Sequence, residues 1–150
     1  MNTATLVQTQ SSCVAPEGMV FDGTHVWVAC SGSSELEEYN AADTAFIRKV
    51  SLTNSPSYLL YDGANVWATN PSSNRLTEVQ ASTGTVLGTV TVGTTPSGLA
   101  FDGQYIWVTN SGSNTLSQVL ATTRTVTNTI NVSGSGYNNC IGPTNIAFIS

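Results

Sequence analysis

The chain has 150 residues, 40% hydrophobic and 9% charged, with a net charge of −5, which suits one domain over residues 1–150 with a sizeable core. Its only cations are Arg48, Lys49, Arg75 and Arg124, too few for the basic stripe that a nucleic-acid partner requires. No apolar run approaches the roughly 20 residues of a membrane-spanning helix, so membrane insertion is not expected.

Taken in chain order, residues 1–15 align with residues 81–95, and residues 6–9 read as an outer strand without the rest of its blade. From Pro16 onward the chain repeats every 40 residues without a gap, in copies covering 16–55, 56–95 and 96–135. Pro16, Pro56 and Pro96 open the copies, and Trp27, Trp67 and Trp107 keep the same step. Each copy begins with a short apolar strand at 19–21, 59–61 or 99–101, followed by Asp22-Gly23, Asp62-Gly63 or Asp102-Gly103. Asp-Gly between apolar runs marks a hairpin, because Gly accepts positive φ and Asp bonds its own backbone. The Trp-bearing strand comes next, then a strand centred on Leu36, Leu76 or Leu116. The fourth strand alternates, with Val86, Gly88, Val90 and Val92 on one face and Leu87, Thr89 and Thr91 on the other. After a seven-residue insertion at 136–142, residues 143–148 match 96–101 and read as a lone inner strand, so 136–150 is a second partial blade. A period of about 40 built from short strands predicts an all-β propeller with four antiparallel strands per blade.

Closed propellers hold about 4–8 blades, and three cannot close. Either a second copy completes a six-bladed ring as a homodimer, or the chain is part of a longer propeller. The partial strands at 1–15 and 136–150 are surplus to a simple strand-exchange closure.

The repeat columns have construction roles. Trp27, Trp67 and Trp107 are expected to pack between blades, and Asp22, Asp62 and Asp102 with their glycines to form turns rather than a cation-binding ring. Asn70 and Asn110 are expected to tie the turns that follow them. Chemistry is sought where the period breaks. His25, the only histidine, stands where the other copies carry Asn65 and Tyr105 and reads as a surface turn residue. Glu35, Glu37 and Glu38 cluster in the first copy and read as a solvated acidic face, the best candidate for weakly bound calcium or a partner; otherwise no cofactor is expected. Cys13 and Cys30 lie at one end of a hairpin, placed for a disulfide or left as two reduced thiols, while Cys140 is either free or an interchain contact. Tyr39, Tyr105 and Tyr137 are candidates for packing or for glycan or protein contact. There is no nucleophile–base pair and no phosphate loop.

The run from Pro96 to Ser117, PSGLAFDGQYIWVTNSGSNTLS, resembles the YVTN-type propeller repeat of bacterial and archaeal surface proteins, with Ile106-Trp107-Val108-Thr109-Asn110 in the place of Tyr-Val-Thr-Asn. Val66-Trp67-Ala68-Thr69-Asn70 matches nearly as well, and Cys30 replaces the Asn in copy one. NHL repeats and virginiamycin B lyase-like propellers are broader relatives. With one histidine, the chain does not carry the His-rich site that resemblance to the lyases implies. The expected function is a non-catalytic module for protein or glycan binding or for assembly, extracellular or surface-associated; the neutral Ser/Thr/Asn surface fits that setting, and no signal peptide is visible. The alternatives are a piece of a lyase- or lactonase-like enzyme with its catalytic residues elsewhere, and a purely structural self-assembling repeat.

Overall fold

The computed structural model describes residues 11–133. The strands expected at residues 6–9 and 143–148, with Tyr137 and Cys140, lie outside the described residues.

Twelve strands form three four-stranded antiparallel sheets, each in simple chain order. The first blade holds β1 (Pro16–Phe21), β2 (His25–Cys30), β3 (Glu35–Asn40) and β4 (Phe46–Ser51). The second holds β5 (Leu59–Tyr61), β6 (Asn65–Asn70), β7 (Arg75–Gln80) and β8 (Thr85–Thr91). The third holds β9 (Pro96–Phe101), β10 (Tyr105–Asn110), β11 (Thr115–Leu120) and β12 (Thr125–Asn131). Register repeats with the sequence: Trp27 lies opposite Glu38, Trp67 opposite Glu78 and Trp107 opposite Gln118. An irregularity follows the last residue of each of those pairs, so the fourth strand of every blade bends at the same place.

Strand alternation gives each blade two apolar faces. One face of blade one, carrying Trp27, Ala29, Leu36 and Val50, packs on Val66, Ala68 and Val79 of blade two. Trp67 and Leu76 of blade two meet Ile106, Val108 and Val119 of blade three in the same way. The two outermost faces have no such neighbour among the described residues. Trp107 and Leu116 are only half-buried where Trp27, Trp67, Leu36 and Leu76 are fully buried. At the other end, Met19 is 72% and Phe21 57% exposed, whereas their counterparts Leu59, Tyr61, Leu99 and Phe101 are half-buried.

β5 is shorter than β1 and β9 for a local reason. In blades one and three the backbone N–H groups of residues 31–32 and 111–112 bond the incoming linker, Ser31 to Ala15 and Ser111 to Thr95. Pro71 holds that position in blade two and has no N–H to donate. A short 3₁₀ turn, Pro71–Ser73, replaces the contact. Asn70 Nδ2 secures the linker instead, donating to the carbonyls of Asn54 (3.3 Å) and Ser55 (3.2 Å).

Cys13 and Cys30 form a disulfide, with Cα atoms 5.1 Å apart. It occupies the place where, in blade three, Gly93 packs directly on the Asn110 side chain. Cys30 therefore holds its linker covalently where Asn70 and Asn110 act through hydrogen bonds and packing.

Candidate functional site

Two features depart from plain blade construction: the pair of less buried end faces, and a cluster of charged side chains between blades one and two.

The Asp column behaves as construction. Asp22 Oδ1 accepts hydrogen bonds from the backbone N–H of Thr24 and His25, and Asp62 and Asp102 repeat the pattern. The second oxygen accepts the indole N–H of the Trp five residues on, at 3.0, 2.7 and 2.7 Å in the three blades. Gly23, Gly63 and Gly103, with φ near +100°, turn the chain so that this bond forms. One carboxylate thus closes the hairpin and orients the inter-blade Trp, which explains both columns together. Asp62→Ala leaves the fully buried Trp67 without its indole acceptor, and a loss of about 1–3 kcal/mol in denaturant unfolding is expected.

Burial opposes the charge on Asp102, but the Trp107 indole and the backbone N–H groups of Tyr105 and Gln104 hold its carboxyl below the ordinary aspartate range. A depressed folded-state value means that its stabilising contribution is complete above the ordinary aspartate range. It is lost as pH falls through the folded value. In a carboxyl NMR titration Trp107→Phe raises the Asp102 midpoint; an unchanged midpoint removes the indole from the account.

The three glutamates are not a solvated acidic face, and they do not share a site. Glu35 is 5% exposed, and Glu37 and Glu38 are fully buried. Alternation along β3 sends Glu35 and Glu37 to one face and Glu38 to the other. Glu37 accepts from the Ser11 hydroxyl (2.8 Å), the Ser12 backbone N–H (2.7 Å) and the Tyr39 hydroxyl. Glu35 accepts from the Ser12 hydroxyl, and Lys49 lies 3.8 Å away. The stapled 11–13 segment therefore covers these two carboxylates and supplies donors to their oxygens. In blades two and three the equivalent of Glu37 is Thr77 or Ser117, bonded to Asn70 or Asn110. The asparagines thus reach the linker or the adjoining strand rather than only the turn after them. Tyr39 is half-buried, bonded to Glu37 and set edge-on to Phe46, which accounts for it as packing.

On the opposite face, Glu38 meets His25. His25 Nδ1 lies 3.3 Å from Glu38 Oε1 and 3.3 Å from Asp22 Oδ2. Arg48 Nε is 2.5 Å from Glu38 Oε2. Burial pushes the Glu38 carboxyl up, against the attraction of Arg48 and His25. Asp22, His25 and Arg48 border a cleft of about 430 Å³ shared with Tyr61, Asn65 and Gln80 of blade two. His25 is thus half-buried and engaged, not a bare surface residue. Blade two builds the same corner differently. Asn65 Nδ2 donates to Glu78 Oε1 (2.8 Å), and Arg124 reaches across from blade three to Glu78 Oε2 (2.6 Å). Arg48 and Glu78 escape a motif search. Their signal is positional: residues 38, 78 and 118 all stand opposite the column tryptophans.

No protein-family model matches the chain, and no curated protein matches it. Solved structures do. The chain is similar to hydrazine synthase of Kuenenia stuttgartiensis at 18% identity and a TM-score of 0.78, covering 96% of this chain and 42% of that one. It is similar to the computationally designed Ika4 protein at 11% identity and a TM-score of 0.74, covering 95% of this chain and 84% of that one. A streptogramin B lyase matches at 17% identity and a TM-score of 0.65, over 75% of this chain and 40% of the lyase. At these identities the likeness is one of fold, and the fold is that of propeller blades; the chain spans well under half of both enzyme chains.

Proposed function

We propose that the chain is a non-catalytic assembly module of YVTN type whose two end faces seat each other in a second copy, making a six-bladed homodimeric ring. One observation carries this reading. The end faces carry the two halves of an interface that the chain already makes twice. Blade three presents the half-buried Trp107 and Leu116 and the 38%-exposed Ile130, in the columns that Trp27, Leu36 and Val50 fill at the first interface. Blade one presents Met19, Phe21, Val26 and Val28, in the columns of Leu59, Tyr61, Val66 and Ala68. Large apolar patches on a soluble surface mark association sites. A two-fold head-to-tail pairing buries both at once. The disulfide suits an oxidising, extracellular or surface setting.

Light scattering tests the reading. A species of twice the 15.7 kDa chain mass is expected at micromolar concentration, and it dissociates in Trp107→Ser and in Phe21→Ser while circular dichroism stays unchanged. A monodisperse wild-type monomer overturns it. Rings in electron micrographs support the closed form, and open filaments replace it with a polymer.

A further inference from the structure

Independently of assembly, we propose that Asp22, His25 and Glu38 form a binding site for a divalent first-row transition ion, of the Zn²⁺ class, at the mouth of the cleft between blades one and two. The three side chains offer one nitrogen and two carboxylate oxygens, all within 4.8 Å of one another. His25 Nδ1 stands 3.3 Å from each oxygen. Ligands about 2.0–2.1 Å from a tetrahedral ion stand about 3.3 Å apart, so these distances fit such an ion with little movement.

A second observation points the same way. Glu38 is fully buried, and while Arg48 engages Oε2, Oε1 has no hydrogen-bond partner closer than the 3.3 Å contact with His25. Buried carboxylates ordinarily satisfy their lone pairs. Arg48 pairs with Oε2 by charge and leaves Oε1 turned toward His25. The outer partners are already in place. Asp22 is held through Oδ1 by two backbone N–H groups and through Oδ2 by the Trp27 indole, and Arg48 holds the far oxygen of Glu38. Contacts of this kind orient ligands around an ion. The cleft of about 430 Å³ leaves room for water or an outside donor in the fourth position. The imidazole favours a transition ion over Ca²⁺ or Mg²⁺, which prefer all-oxygen shells. Two carboxylates neutralise the ion, and His25 gives up its Nδ1 proton to solvent if it carries one.

The repeat supplies the controls. Blade two carries Asn65 at the His25 position, and blade three carries Gln118 at the Glu38 position, so His25→Asn and Glu38→Gln copy residues that this fold already accepts. Calorimetry of the intact chain with Zn²⁺ is expected to show one ion per chain. The dissociation constant rises about tenfold or more in Glu38→Gln, and binding is lost in His25→Asn. In ¹⁵N NMR, Zn²⁺ shifts Nδ1 of His25 rather than Nε2. Ca²⁺ gives no comparable heat. Three results overturn the proposal: no Zn²⁺ binding by the wild type, an unchanged dissociation constant in a Glu38→Gln variant whose circular dichroism matches wild type, or coordination through Nε2, which marks a solitary surface histidine.

Discussion

Trp67→Ala is expected to lower unfolding stability by about 3–5 kcal/mol, and Trp107→Ala by less than half as much when both are measured on dilute, monomeric protein. Trp67 is fully buried between blades two and three, among Leu76, Ile106, Val108 and Val119. Its removal leaves a cavity that rigid strands on both sides cannot close. Trp107 holds the same position in its blade and makes the same bond to its Asp, yet it is only half-buried. The column position and the indole bond are shared, so the difference chiefly follows burial. Domain stabilities of about 5–15 kcal/mol make the Trp67 loss large, and Trp67→Phe provides a folded intermediate case. Denaturant midpoints across protein concentration extend the test. If two copies pair through the end faces, the cost of Trp107→Ala grows with concentration and that of Trp67→Ala does not. Equal, concentration-independent costs would show that Trp107 is covered within a single chain.

Cys13→Ser/Cys30→Ser is expected to cost about 3 kcal/mol, the loop-closure value for a loop of this size; the cysteines are 17 residues apart. A second effect adds to it. The disulfide holds the 11–13 segment over β3, where Ser11 and Ser12 supply donors to Glu35 and Glu37. Freed from the staple, the segment no longer holds those donors against a buried carboxylate, and an unsatisfied buried group costs about 1–3 kcal/mol. The loss should therefore fall on blade one. Hydrogen exchange is expected to quicken in β2 and β3 and to stay unchanged in β10 and β11. A denaturation midpoint that ignores both the double substitution and added reductant would remove the disulfide from the stability account.

The blade pattern was legible because strand alternation and turn chemistry are local. Asp22, Gly23 and Trp27 lie within six residues, so their spacing carries the hairpin and the indole bond with it. The shortened β5 was open to the same logic, since Pro71 removes a donor that Ser31 and Ser111 supply. The burial of the glutamates is not legible in the sequence, because an acidic triplet in a chain with few charges reads as surface. Alternation alone divides Glu38 from Glu35 and Glu37. What buries them comes from afar: residues 11–13 on one face, and Arg48 with blade two on the other.

By itself, then, the sequence determined the 40-residue blade, its four strands, its Trp and Asp-Gly columns and the count of three whole copies, because each depends on contacts within one repeat. Only the tertiary structure decided what the exceptions do. Cys30 takes over the linker-holding place of an asparagine, Glu35 and Glu37 lie under the stapled segment, and Glu38 turns to the opposite face to meet His25 and Asp22. It also decided that equivalent residues are unequal, Trp67 fully buried and Trp107 half-buried, since burial depends on which blade stands alongside.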